Sequence, residues 1–231
     1  MNLSDFRKTI GFVVVVLIGF VSKVQAQEAH NPIFLSVTGN KIFVSVPGKK
    51  LVQINAIAFN FTEPESVTLT DSNKTTYQIR MLYPASAQYR NHGKPLVVNL
   101  TVTKLAGGLH FSADPRWSRN VTVHLADYDE HYFGVLEHLY PNNRKSPDLR
   151  GDVVDVDVLG TGDQYHENYS SVWSAFYMSS RGYASFFDTF AEGKYRFATG
   201  KNNETQLYHH TGKLNWYILS GSNGDQELQQ R

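Results

Sequence analysis

Turn-forming residues recur so densely along this chain that strands, and almost nothing else, fit between them. Ile33 to Val37, Lys41 to Val46, Leu51 to Asn60, Val67 to Thr70 and Tyr77 to Met81 are short apolar or alternating runs. Thr38-Gly39-Asn40, Pro47-Gly48, Glu63-Pro64 and Asp71-Ser72-Asn73 punctuate them. Residues 95–104 (PLVVNLTVTK) and Val121 to Leu125 alternate with period two, so each has one buried and one wet face. Residues 107–112 (GGLHFS) add a short strand before the Asp114-Pro115 turn. Residues 128–151, rich in His, Tyr, Asn, Pro and charge, read as one long surface loop. From Trp173 the strands return: WSAFYMSS, the turn residues Arg181-Gly182, then YASFFDTF form a hairpin in which Gly182 supplies a positive φ. Lys194 to Ala198, Gln206 to His210 and Leu214 to Leu219 complete the series, and only Asp225 to Gln230 could start a helix. Runs of this length and spacing predict an all-β sandwich or barrel.

Residues 1–26 stand apart. Arg7-Lys8, an apolar run from Ile10 to Val21 and the ending Val24-Gln25-Ala26 make a secretory signal peptide cleaved after Ala26. That run is shorter than the ~20 residues needed to cross hydrocarbon, and no later run reaches that length, so no membrane partner is expected after cleavage. With no repeat or low-complexity linker beyond it, residues 27–219 read as one domain. A net charge of +1 offers no electrostatic footprint for nucleic acid. Cysteine is absent, which removes disulfides and thiolate metal sites and leaves stability to the core. Asn-x-Ser/Thr sequons begin at Asn60, Asn73, Asn99, Asn120, Asn168 and Asn203. In a chain so rich in Asn, Ser and Thr these are expected by chance, and a cysteine-free exported domain fits a bacterial periplasm, cell surface or extracellular space.

Residue chemistry gives little sign of an active site. His131, Glu137 and His138 cluster in the presumed loop and His209-His210 are adjacent, but neither spacing is a zinc signature, and neighbours on a strand face opposite ways. No metal and no cofactor is expected; no phosphate loop, dinucleotide fingerprint or Gly-x-Ser-x-Gly occurs. In GDVVDVDVLGTGD, Val154, Val156 and Val158 fall on one strand face and Asp155 and Asp157 on the other. Two carboxylates at a fixed separation could serve a glycosidase, but one flat strand face makes no cleft, and carboxylates on a solvated edge strand are the simpler reading. The 14 Phe, 13 Tyr and 3 Trp are expected mostly in the core.

Three pieces between Tyr132 and Phe197 nevertheless resemble glycoside hydrolase family 31. Phe133-Gly134-Val135-Leu136-Glu137 is similar to the family's FGLGE turn, Asp148-Leu149-Arg150-Gly151 followed by VVDVDV to its LRG strand, and Ser174 to Thr189 (SAFYMSSRGYASFFDT) to its PFFLSSRGYGLFLDT hairpin. Val135-Leu136 in place of Leu-Gly and Ala184 in place of the hairpin's second glycine depart from the pattern. The resemblance covers roughly the last 100 residues well; the rest agrees only in β character. It implies a galactose-mutarotase-like β-sandwich, with residues 220–231 as the start of a connector to a catalytic barrel. In that family both catalytic aspartates sit on the barrel, so no catalytic residue is assigned here. The resemblance also implies a loop reaching the barrel mouth to touch the first sugar, with Asp157 and Asp163 as substrate-binding candidates.

The expectation is an accessory domain, or fragment, of a secreted α-glycoside hydrolase, meeting α-glycosides through a barrel and not hydrolysing them alone. The alternative is a stand-alone carbohydrate-binding or surface-interaction module. A domain that packs on a barrel should expose an apolar patch; a self-sufficient binder should show a concave aromatic groove with a polar rim. A third possibility, a mutarotase-like enzyme, needs a His and a Glu in a cleft, for which His131 or His138 with Glu137 is the nearby pairing.

Overall fold

The computed structural model describes residues 32–87, 94–136, 147–156, 173–199 and 204–220. These fold into two antiparallel sheets packed face to face. The seven-stranded sheet has the spatial order β1 (Phe34–Thr38), β2 (Lys41–Val46), β3 (Lys49–Phe59), β8 (Val121–Leu125), β14 (Glu204–His209), β13 (Gly193–Thr199), β10 (Val153–Val156). The eight-stranded sheet runs β4 (Ser66–Ser72), β5 (Thr76–Tyr83), β6 (Leu96–Leu105), β7 (Gly108–Ala113), β15 (Leu214–Ser220), β12 (Tyr183–Phe187), β11 (Trp173–Ser179), β9 (Tyr132–Leu136). A single 3₁₀ turn, Ala85–Ala87, is the helical structure among the described residues. The all-β sandwich expected from the sequence is the observed fold.

Alternation sets which side chains go inward. In β5 Tyr77, Ile79, Met81 and Tyr83 are buried, and in β6 Val98, Leu100 and Val102; the residues between them face outward. Val121, Val123 and Leu125 of β8 answer them from the other sheet. Each such side chain contributes roughly 1.5–3 kcal/mol on leaving water, and with no disulfide this burial carries the stability.

About half of the aromatic residues among those described lie in the core, fewer than expected. Trp216, Tyr83, Tyr132, Tyr177, Tyr195, Phe59, Phe111, Phe187 and Phe197 are fully buried. Most of their polar tips find partners, as burial demands. Tyr83 donates to the Ile57 carbonyl at 2.7 Å, and the Trp216 indole N–H to Ser185 Oγ at 2.8 Å. Thr205 Oγ1 donates to Tyr132 Oη at 2.9 Å.

One expectation is overturned. Residues 128–151 are not a continuous loop: Tyr132–Leu136 is strand β9, paired with β11 at the edge of the eight-stranded sheet. Its alternation is hidden because Gly134 (φ 120°) and Val135 (φ 67°) leave the extended region, and the β9–β11 register shifts beside them. A side chain at position 134 would meet the Phe176 carbonyl oxygen at 2.9 Å, so glycine is required there.

Candidate functional site

The three pieces that carried the family resemblance meet at one corner of the sandwich, where their polar residues act as fasteners. Arg150 donates to both carboxylate oxygens of Asp127, each at 2.7 Å, and to the Glu130 carbonyl at 2.8 Å. Burial alone would raise the Asp127 carboxyl, but the hydrogen bonds and charge of Arg150 hold it below the usual range. Asp148 accepts from the backbone N–H groups of Tyr132 (3.0 Å) and Arg150 (3.1 Å) and lies 2.6 Å from His131 Nδ1. Ser179 donates to the buried Glu130 carboxylate, whose burial raises its pKa. In the hairpin, Gly182 (φ 86°) closes the turn with its N–H on the Ser179 carbonyl at 3.0 Å. Arg181 reaches back to the carbonyls of Leu51 (3.1 Å) and Lys50. These residues join strands to one another; they present no open reaction centre.

A groove of about 600 Å³ lies on the outer face of the seven-stranded sheet, within the usual size of small-molecule sites. Its floor and walls come from alternate residues of β8 (Thr122, His124), β14 (Gln206, Tyr208) and β13 (Lys194, Arg196). Phe61 stands at its rim, stacked on Tyr208 with ring centroids 5.8 Å apart and planes 8° from parallel. His124 Nδ1 faces Glu204 Oε2 at 3.4 Å, and Glu204 Oε1 accepts from Asn55 Nδ2 at 2.7 Å. Across one edge, Asp155 pairs with Lys194 at 2.9 Å.

The outer face of the eight-stranded sheet is of another kind. An antiparallel sheet that faces water alternates to polar residues on that side. Here Phe176 of β11 stands opposite Phe186 of β12, Phe186 opposite Tyr217 of β15, and Tyr217 opposite His110 of β7. Beside that row runs another, Phe133, Met178, Ala184 and Leu219, on β9, β11, β12 and β15. The rings of Tyr217 and His110 stack at 4.3 Å. Met178 is 50% exposed, and Phe133, Phe176, Phe186 and Tyr217 are half-buried. The result is an apolar ladder across the β15, β12, β11 and β9 half of the sheet on its solvent side.

Of the residues singled out from sequence, Asp157, Asp163, Glu137 and His138 lie outside the described residues, as do residues 1–31 and 221–231. Val154 and Val156 point inward and Asp155 outward on β10, at the edge of its sheet, as the edge-strand reading required. His209 is buried and His210 exposed, on opposite faces. His131 pairs with Asp148. The histidine–glutamate pair beside the groove, His124 with Glu204, escapes sequence reasoning because its members sit 80 positions apart on neighbouring strands.

Together these features define a class: an antiparallel β-sandwich with a polar and aromatic groove on one sheet and an apolar ladder on the other. No protein-family model and no curated protein sequence matches the chain. Solved structures do. A family 31 sulfoquinovosidase from E. rectale aligns over 81% of this chain and 32% of its own, with a TM-score of 0.50 and 12% identity. A family 31 dextranase from Flavobacterium johnsoniae aligns over 85% of this chain and 27% of its own (TM-score 0.38, 17% identity), and a xylosidase from Aspergillus niger over 87% and 32% (TM-score 0.34, 14% identity). The chain thus has the fold of one part of the family 31 sulfoquinovosidase, and it spans 21–32% of the length of the enzymes it matches.

Proposed function

We propose that this sandwich is a non-catalytic accessory domain of an exported α-glycoside hydrolase of the family 31 type, seated against a catalytic domain through the outer face of its eight-stranded sheet. The observation that carries the reading is the apolar ladder: Phe176–Phe186–Tyr217 and Met178–Ala184–Leu219 run in register across adjacent strands where water should favour polar side chains. The fold shared with the sulfoquinovosidase, over 32% of that enzyme's length, agrees with it. Export is supported by the sequence of residues 1–26 alone. Contact with the substrate is assigned to Asp157 and Asp163: in the assembled enzyme, Asp163→Ala should lower substrate affinity without loss of fold stability, and an unchanged specificity constant removes that role.

Retaining hydrolysis needs two carboxyls placed about 5–5.5 Å apart around the scissile bond, and no such pair is assigned here. The test is co-expression of this chain with a family 31 catalytic barrel from the same source: the barrel should be retained by this chain on an affinity column and should hydrolyse p-nitrophenyl α-glycosides. A Met178→Lys, Phe186→Ser double variant should weaken that assembly. Robust hydrolysis by this chain alone, or assembly indifferent to the ladder substitutions, overturns the reading.

A further inference from the structure

The groove on the seven-stranded sheet is remote from the ladder's sheet and makes a separate case. Its rim is built on a tight turn, with Phe59 and Thr62 exchanging both backbone hydrogen bonds at 3.0 Å. The two central residues, Asn60 (φ 49°) and Phe61 (φ 62°), are both left-handed, the geometry that favours Asn-Gly. Asn60 suits its place: its Oδ1 accepts from Arg119 N–H (2.9 Å) and Ser118 Oγ (3.2 Å), and its Nδ2 donates to the Trp117 carbonyl (3.3 Å). Phe61 does not suit its place. A bulky residue in the left-handed region is an outlier, and this one is 71% exposed. Strain and exposure together mark the ring as held out for contact.

The rest of the groove supplies hydrogen bonds without a strong field. A carboxylate can only accept, so His124 Nδ1 is the donor of its contact with Glu204. A polar chain fixes that arrangement: Tyr128 donates to Gln53 (2.8 Å), Gln53 to Asn55 (2.7 Å) and Asn55 to Glu204 (2.7 Å). Gln206 adds an amide with donors and an acceptor. Among the lining residues, Glu63, Asp155 and Glu192 outweigh Lys194 and Arg196, so there is no excess positive charge to hold a phosphate. A flat open ring beside mixed donors and acceptors, with no cationic field, suits a neutral pyranose: its C–H face against the ring, its hydroxyls on the rim.

We infer that the groove between β8, β14, β13 and the Asn60-Phe61 turn binds neutral pyranose units of an oligosaccharide, with Phe61 as the stacking platform and His124, Gln206 and Arg196 as hydroxyl partners. This goes beyond the accessory-domain reading, which assigns the groove nothing. Calorimetric titration of the whole chain with maltotriose, isomaltotriose and cellotriose, and with inorganic phosphate as an anionic probe, reads the site. A saturable heat with at least one trisaccharide is expected, with no heat from phosphate. Phe61→Gly should weaken binding roughly tenfold while melting within a few degrees of the parent chain, and Gln206→Ala should weaken it several-fold. No saturable heat with any of the three sugars, Phe61→Gly binding like the parent chain, or phosphate displacing the sugar overturns the inference. Because binding by the chain alone is read here, and assembly and hydrolysis there, the two readings can fail separately.

Discussion

His209 shows how one side chain can tie stability to pH. It is fully buried, with Nδ1 3.1 Å from the Ala191 carbonyl and Nε2 2.9 Å from Tyr195 Oη. A carbonyl only accepts, so Nδ1 carries the proton, and Nε2 accepts from the tyrosine. Burial pushes the imidazole pKa down to about 4 from its ordinary 6.5. Between those two values the unfolded chain binds the proton and the folded chain does not, so stability falls as pH falls through that window. From pH 7 to pH 5 the loss is on the order of 2 kcal/mol. Glu130, whose pKa burial raises, works in the opposite direction. Urea denaturation of His209→Gln against the parent chain at pH 7 and pH 5 cancels that contribution, and the variant should lose less stability on acidification. Phe61 is the second case. Leaving the left-handed strain to glycine recovers roughly 1–2 kcal/mol, the greater freedom of the unfolded chain takes back about 0.4–1, and losing the Tyr208 stack about 0.5–1.5. These nearly cancel, so Phe61→Gly should melt within a few degrees of the parent, which makes it a clean probe of the groove.

At the scale of elements, glycine positions show where strands crowd. Gly193 opens β13, and a Cβ there would sit 2.6 Å from the Tyr208 carbonyl oxygen and 2.6 Å from His209 Nδ1. Neither can yield easily, since His209 is wedged in the core; Gly193→Ala should cost about 1–3 kcal/mol and lower the melting temperature by several degrees. Most strands are legible in the sequence because a buried face and a wet face leave a period-two trace, as in residues 95–104. Strand β9 leaves no such trace: Gly134 and Val135 bend its backbone, and charged and polar residues surround it, so composition points to a loop. The hairpin of β11 and β12 is legible, but not its wet face, for in WSAFYMSS and YASFFDTF both faces are apolar. Only pairing reveals that Phe176, Met178 and Phe186 look outward while Tyr177 and Phe187 look in. The groove is illegible for a topological reason. Phe61, His124, Arg196 and Gln206 lie in four separated segments, and only the order β3-β8-β14-β13 gathers them.

For the molecule as a whole, the two faces have different consequences in solution. An apolar patch and an aromatic groove stood as alternatives on sequence grounds, one for a domain that docks and one for a domain that binds; the sandwich carries both, on different sheets. A net charge of +1 gives little long-range repulsion between copies. A domain with the ladder uncovered should therefore associate with itself when no partner is present. The attraction is apolar, so added salt should not weaken it, whereas contacts made by charge would loosen as screening sets in. Sedimentation velocity on the isolated chain should show concentration-dependent association that persists in high salt. Met178→Lys should shift it toward monomer, because the side chain is half exposed and a lysine there adds charge to the ladder without entering the core. Phe61→Gly, on the other sheet, should leave association unchanged. If the parent chain stays monomeric at high concentration, the ladder is not sticky enough to serve as a docking face, and the accessory-domain reading loses its physical basis.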